Sequence, residues 1–327
     1  MNYWHKLLFK PARFMRKHQY APTKLLSSCF QKNNKLPTKA IQVISACLLL
    51  SSEVTAAQDN SDIVLGQSLE KTITSGKAVW LNDDTSKFFA IYEPDQSGQA
   101  KGGVIILHGA NSHPDKPEVI RPLRNALPLH GWASIAIQLP YLSSISDYTK
   151  QQTTINQRIN SAATYLQTVG IGNIALLGHG IGAMAATAYL SSQQNTSLQA
   201  FIAISLGIPN KDKNLESISQ QLEKITVPIL DIFGSNDLDN VVNTASLRAL
   251  AAKISSRAVT SSKQIESYKR SAIGRSSMQN SQGHISYRQI VIEGANHDFR
   301  GSNRQLTKRV AGWLERHVKG ITINASR

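Results

Sequence analysis

Short apolar runs punctuated by turn residues dominate this chain. They predict strands over 77–81, 88–93, 104–107, 132–139, 174–177, 198–205, 228–233 and 286–292. Between them lie longer segments with a helical spacing of apolar residues, over about 117–130, 148–169, 183–190, 215–225, 244–254 and 304–319. The last carries Leu306, Val310, Trp313, Leu314 and Val318 at i, i+3, i+4 spacing and reads as an amphipathic closing helix. Strands alternating with helices imply an α/β protein with a mainly parallel sheet and helices on both faces. The first two runs, separated only by Asn82-Asp-Asp-Thr85, suit an antiparallel edge. One domain over 58–327 is expected.

Two stretches break the rhythm. Residues 58–75 are polar and read as a loosely ordered lead-in. Residues 255–285 are serine-rich and lack an apolar period, and from Lys253 to Arg288 seven bases face the single acid Glu266. That composition predicts a flexible basic insertion, suited to an anionic envelope surface if it has a partner at all. Nucleic acid is disfavoured, because no aromatic residues interleave with the bases and no binding module is recognisable.

Charge changes the picture at the N-terminus. The chain has 327 residues and a formal net charge of +15, yet nine Lys or Arg and no acid fall within residues 1–39. An apolar stretch from Ala40 to Leu50 and the small residues Val54-Thr-Ala-Ala57 follow. Basic region, apolar region and small-residue cleavage site form a secretory signal over 1–57, too short to span a membrane, and predict a periplasmic protein. Ile44-Ser-Ala-Cys47 resembles a lipid-attachment box, but the apolar stretch continues past the cysteine, so lipoprotein anchoring is the less favoured alternative. Both cysteines, Cys29 and Cys47, belong to this leader, which leaves the mature chain no thiol for a disulfide, metal or nucleophile.

The chemistry centres on Gly178-His-Gly-Ile-Gly182, between an apolar strand and an Ala-rich helix. Strand, glycine turn and helix are the frame of a nucleophile elbow, G-x-S-x-G, but the middle residue is Gly180 and brings no hydroxyl. An acid and a histidine follow in the order such a site requires. Asp237 closes Ile229-Leu-Asp-Ile-Phe-Gly-Ser-Asn-Asp, and His297 follows the last strand in Gly294-Ala-Asn-His-Asp-Phe299. In such a site the histidine accepts a proton while the acid orients it. His108 and Gly109, after the first parallel strand, together with Ile181, after the empty elbow position, are the candidate oxyanion and pocket residues.

Four substitutes for the absent serine are open. Ser205, Ser112 and Ser235 lie on loops at the same edge, and His297 with Asp237 can activate water directly. His179, beside the elbow position, is expected to pack inward. Gly178, Gly180 and Ala183 also satisfy a dinucleotide-binding G-x-G-x-x-G/A, but residues 195–206 supply no acid for a ribose, so no cofactor is expected. His108, His113 and Asp115 match no metal-ligand spacing, so no metal is expected.

With these motifs in place the chain resembles the α/β-hydrolase superfamily, and within it an uncharacterised family of exported bacterial proteins. The resemblance rests on Gly103–Pro114, Ala175–Ala183, Ile229–Asp237 and Gly294–Phe299, and covers about residue 60 to the end. It implies an α/β-hydrolase fold and ester or amide hydrolysis, and it departs at position 180. Two functions follow: a noncatalytic or noncovalent binding protein of the envelope for a small-molecule or acyl-type ligand, or a hydrolase working through His297 and Asp237 with water or a substitute serine.

Overall fold

Residues 61–141, 145–192, 197–209, 217–253 and 287–318 are described by a computed structural model. All lie in Thr55–Arg327, one of two units into which the chain divides; the other, Met1–Val54, lies outside the described residues. The expected signal segment over 1–57 and the whole basic insertion over 255–285 are likewise outside them.

Eight strands form one sheet: β1 (Lys77–Asn82), β2 (Lys87–Glu93), β3 (Gly102–Leu107), β4 (Trp132–Ile137), β5 (Ile174–His179), β6 (Leu198–Ile204), β7 (Ile229–Asn236) and β8 (Tyr287–Asn296). Their order is β1-β2-β4-β3-β5-β6-β7-β8. β1 and β2 pair antiparallel, as does β2 with β4; every other pairing is parallel. The helices are α1 (61–70), α2 (Ile120–Ala126), α3 (Ile145–Thr168), α4 (Ile181–Ser192), α5 (Ile218–Lys224), α6 (Asp239–Val242), α7 (245–253) and α8 (Asn303–His317).

Side-chain alternation sorts the helices onto the two faces. In β3, Ile105 and Leu107 face α3, α4 and α5, packing in one cluster with Ile155, Ile159, Ala183 and Leu222. Val104 and Ile106 face α2 and α8, joining Leu123, Val310, Trp313 and Leu314. Because both faces are covered, β3, β4 and β5 are buried along their whole length. That is why they appear in the sequence as continuous apolar runs.

Two expectations need correction. The lead-in is partly helical, since residues 61–70 form α1. Its buried stripe is Asp62, Gly66 and Leu69, at i, i+4 and i+7, where a carboxylate and a glycine hide the apolar period. Leu69 packs on Phe89 and Ile91, and Asp62 pairs with Arg158 at 3.0 Å. The helix expected over 117–130 divides into α2 and a 3-10 turn, Leu127–His130, with Pro128 in the turn's first positions. Pro128 cannot donate the backbone bond that a continuing α-helix needs.

Three fully buried arginines pin distant segments together. Arg124 bonds Glu93 and Asp115, Arg158 bonds Asp62 and Asp83, and Arg248 bonds Asp231, all at 2.8–3.0 Å. Each charge is matched, which a buried guanidinium requires. Asp115, held by Arg121 and Arg124, anchors the loop that leaves β3 toward the site.

Candidate active site

The loops after β3, β5, β6, β7 and β8 all emerge at the C-terminal edge of the parallel sheet, and the strand order reverses beside β3. A crevice at such a switch point is where open α/β sheets place their ligands. His108, Gly180, Ser205, Asp237 and His297 are carried there by these five strand ends.

Gly180 forms the elbow with a left-handed backbone, φ 56°. Its N–H donates to the Ile204 carbonyl at 2.9 Å, and its own carbonyl accepts from Ala183 and Met184, which start α4 on its turn. Gly182 lets that helix pack against the β3 loop: a Cβ there would lie 2.4 Å from the His108 carbonyl oxygen. A Cβ at Gly180 would stand 3.4 Å from His297 Nε2, so a hydroxyl one bond further out would come within hydrogen-bonding reach of that nitrogen. Among the described residues only His297 approaches that volume at position 180, because glycine ends at its Cα.

The acid and the histidine are assembled. His297 Nδ1 lies 2.7 Å from Asp237 Oδ1. Asp237 also accepts from the Leu238 N–H at 2.8 Å, and from the Ser205 hydroxyl at Oδ2. Burial opposes its charge, but the hydrogen bonds from His297, Ser205 and Leu238 prevail and hold the carboxyl below the ordinary carboxylate value. An ionised carboxylate only accepts, so Nδ1 of His297 carries the proton. In the neutral ring Nε2 then presents a lone pair toward Gly180.

A second imidazole backs the first. His179 is buried, as expected from its place beside the elbow, and its ring tilts against that of His297 with centroids 4.7 Å apart. Its Nε2 lies 3.0 Å from the His297 carbonyl oxygen, an acceptor only, so Nε2 holds the proton. Burial, reinforced by His297, pushes the pKa of His179 down to about 4 and keeps it neutral.

His108 is corrected as a pocket residue. Its ring turns inward, with Nε2 accepting from the Leu139 N–H at 3.0 Å and Nδ1 donating to the Gly109 carbonyl at 2.9 Å. Burial lowers its pKa to about 4. The ring is a peg between the β3 and β4 loops; Gly109 and Ile181 do line the pocket. Of the candidate serines, Ser205 is buried at φ 52° with its hydroxyl given to Asp237 rather than to His297. Ser235 donates to Glu293 and accepts from the Gly294 N–H. Ser112 lies in the pocket wall.

The pocket over Gly180 measures about 440 Å³. Met184, Leu238 and Val241 give it apolar walls, and Lys116, Glu118 and Asp298 are charged lining residues. Glu118 is shared by Lys116 at 3.5 Å and Arg300 at 3.3 Å. A larger groove of about 690 Å³ between α2 and α8 contains none of these groups; the chemistry, not the volume, marks the smaller one. Among the described residues no cluster of three His, Cys, Asp or Glu is placed to hold a metal. Sequence reasoning missed Lys116, Leu238 and Val241 as pocket residues, and weighed Ser205 only as a nucleophile. Its position at a strand end beside β7 was the available signal for a partner of Asp237.

The strand order, the crossovers and this edge define an α/β-hydrolase fold. Solved structures agree: Est1E from Butyrivibrio proteoclasticus is 14% identical with a TM-score of 0.53, covering 74% of this chain and 99% of that one. A dienelactone hydrolase from Anabaena variabilis is 16% identical with a TM-score of 0.53, covering 75% and 99%. An alpha-beta serine hydrolase homologue from Coxiella burnetii is 14% identical with a TM-score of 0.51, covering 74% and 99%. Identities this low establish the fold alone. Within that fold the chain belongs to the family described as "Protein of unknown function (DUF3530)", matched over residues 39–149 and 143–259. No curated protein matches the sequence.

Proposed function

We propose that this chain is a noncovalent binding or accessory protein of the cell envelope, whose pocket holds a small acyl-type molecule beside His297 without forming an acyl-enzyme. Gly180 carries this reading. Removing the serine from a serine hydrolase costs about a million-fold in turnover. Two of the nearby serines are engaged elsewhere: the hydroxyl of Ser205 serves Asp237, and that of Ser235 serves Glu293. Placement in the envelope is supported by the basic and apolar leader. Expression of the full-length chain should yield a shortened protein in the periplasmic fraction; an uncut chain in the cytosol would contradict export.

A second reading is favoured by one observation, the intact 2.7 Å contact between His297 and Asp237. That pair can draw a proton from a water above Gly180 and direct the hydroxide at an ester carbonyl. A screen on short- and medium-chain p-nitrophenyl esters separates the two. The binding role predicts a silent parent; turnover in the parent that His297→Ala abolishes would replace it with water-activating hydrolysis.

A further inference from the structure

Two imidazoles, His297 and His179, line the pocket beside Gly180 and Gly109. His297 donates a hydrogen bond from Nδ1 to Asp237, which leaves Nε2, facing Gly180, as the ring's one acceptor position. His179 donates a hydrogen bond from Nε2 to the His297 carbonyl, which leaves Nδ1 as an acceptor as well. Its pKa of about 4 keeps it so at neutral pH. No described residue donates to that Nδ1, and it lies 3.2 Å from where a Cβ on Gly109 would stand. His179 is 8% exposed, and its ring lines the pocket wall. Two glycines, 180 and 109, thus leave open space in front of two imidazole acceptors.

In a serine enzyme the elbow hydroxyl is the donor that meets the first of these nitrogens. Here no described residue supplies one to His297 Nε2. A ligand without N–H or O–H groups would seal both lone pairs away from water, and a buried acceptor left unmet is costly. The walls, with Met184 and Val241, suit a hydrocarbon segment.

We infer that the ligand of this pocket is a hydroxylated short-chain acyl compound whose own hydroxyl stands above Gly180, in the place of a serine hydroxyl, and donates to His297 Nε2. This rests on the noncovalent reading of the site. It explains why the acid, the histidine and the second imidazole are all kept in register around a glycine: together they form a receptor for a hydroxyl group. No bond is made or broken, and the proton stays on the ligand.

The test is a binding titration of the full chain with methyl 3-hydroxyhexanoate and with methyl hexanoate, followed by the imidazole ¹⁵N signals of His297 and His179. The hydroxy ester should bind at least about tenfold more tightly, the usual effect of leaving a buried acceptor unmet, and should shift the His297 Nε2 signal. Gly180→Ala, whose methyl fills the hydroxyl volume, should bring the two Kd values together. Equal Kd values in the parent, no binding of the hydroxy ester up to its solubility limit, or a preference that survives Gly180→Ala would each overturn the ligand class. Turnover of either ester by the parent would instead overturn the noncovalent reading, and a ¹H spectrum of the same sample reports it as released methanol.

Discussion

The acid–histidine half of the site and the elbow half differ in what they retain. Around Asp237 the polar groups are matched: His297, Ser205 and the Leu238 N–H all donate to one buried carboxylate. Around Gly180 the backbone is equally well set, with its φ of 56° and its bond to Ile204, yet the group this geometry normally presents is absent. Random decay would be expected to loosen the polar half first, because unmatched buried charges are the costliest things to keep. The charges here are matched, and position 180 is a glycine. That asymmetry is the observation on which the proposed noncovalent role rests.

The largest test of the comparison is to restore the elbow. Gly180→Ser should raise p-nitrophenyl acetate hydrolysis at least about a thousandfold over the parent, a part of the roughly million-fold that a serine contributes in an evolved enzyme. A variant that folds and stays inert would show the acid–histidine half to be out of alignment.

Acid should unfold the protein through the imidazoles before it reaches the carboxylate. His108 and His179 have folded pKa values of about 4, against an ordinary value of 6.5. Between those values the unfolded chain binds protons that the folded chain refuses. Stability is therefore complete above the unfolded value and falls as pH drops toward 4, by roughly 3 kcal/mol for each histidine. Asp237, whose folded pKa is depressed, gives stability that is lost only at still lower pH. Urea midpoints at about pH 7 and about pH 4.5 measure this, and a flat profile would contradict the buried neutral rings.

Smaller effects separate the two halves further. Gly182→Ala drives a methyl to 2.4 Å from the His108 carbonyl and should cost about 1–3 kcal/mol in thermal or urea unfolding. Ser205→Ala removes one donor from Asp237 and should cost about 1–2 kcal/mol, moving the carboxylate's acid transition upward. If Ser205 were instead a nucleophile, its loss would change turnover and leave that transition in place.

Much of this was legible in the sequence, for a physical reason. Strands buried on both faces must be apolar throughout, so β3, β4 and β5 stand out, and the loops where they end carry the candidate chemistry. Gly180, at the end of β5, and Asp237, after the buried run of β7, are legible that way; His297 follows β8, which is buried at only two positions, and is legible from the order of the motifs. What escaped depends on long-range pairing. Arg158 meets Asp62 across 96 residues and Arg124 meets Glu93 across 31, and no local pattern announces a buried charge. The stripe of α1 hides behind Asp62 and Gly66. The inward turn of His108 is set by the Leu139 N–H on the neighbouring strand's loop, and the direction of the Ser205 hydroxyl by a left-handed backbone that a serine rarely adopts.

The most direct measurement is intact-mass analysis of the full chain after exposure to a fluorophosphonate, which bonds covalently to an activated serine, beside the Gly180→Ser variant. A parent that stays unlabelled while the variant gains one adduct at residue 180 is the predicted result: the pair His297–Asp237 is competent and only the nucleophile is missing. An adduct on the parent, at Ser205 or Ser112, would contradict it and make this protein a covalent hydrolase with a relocated serine.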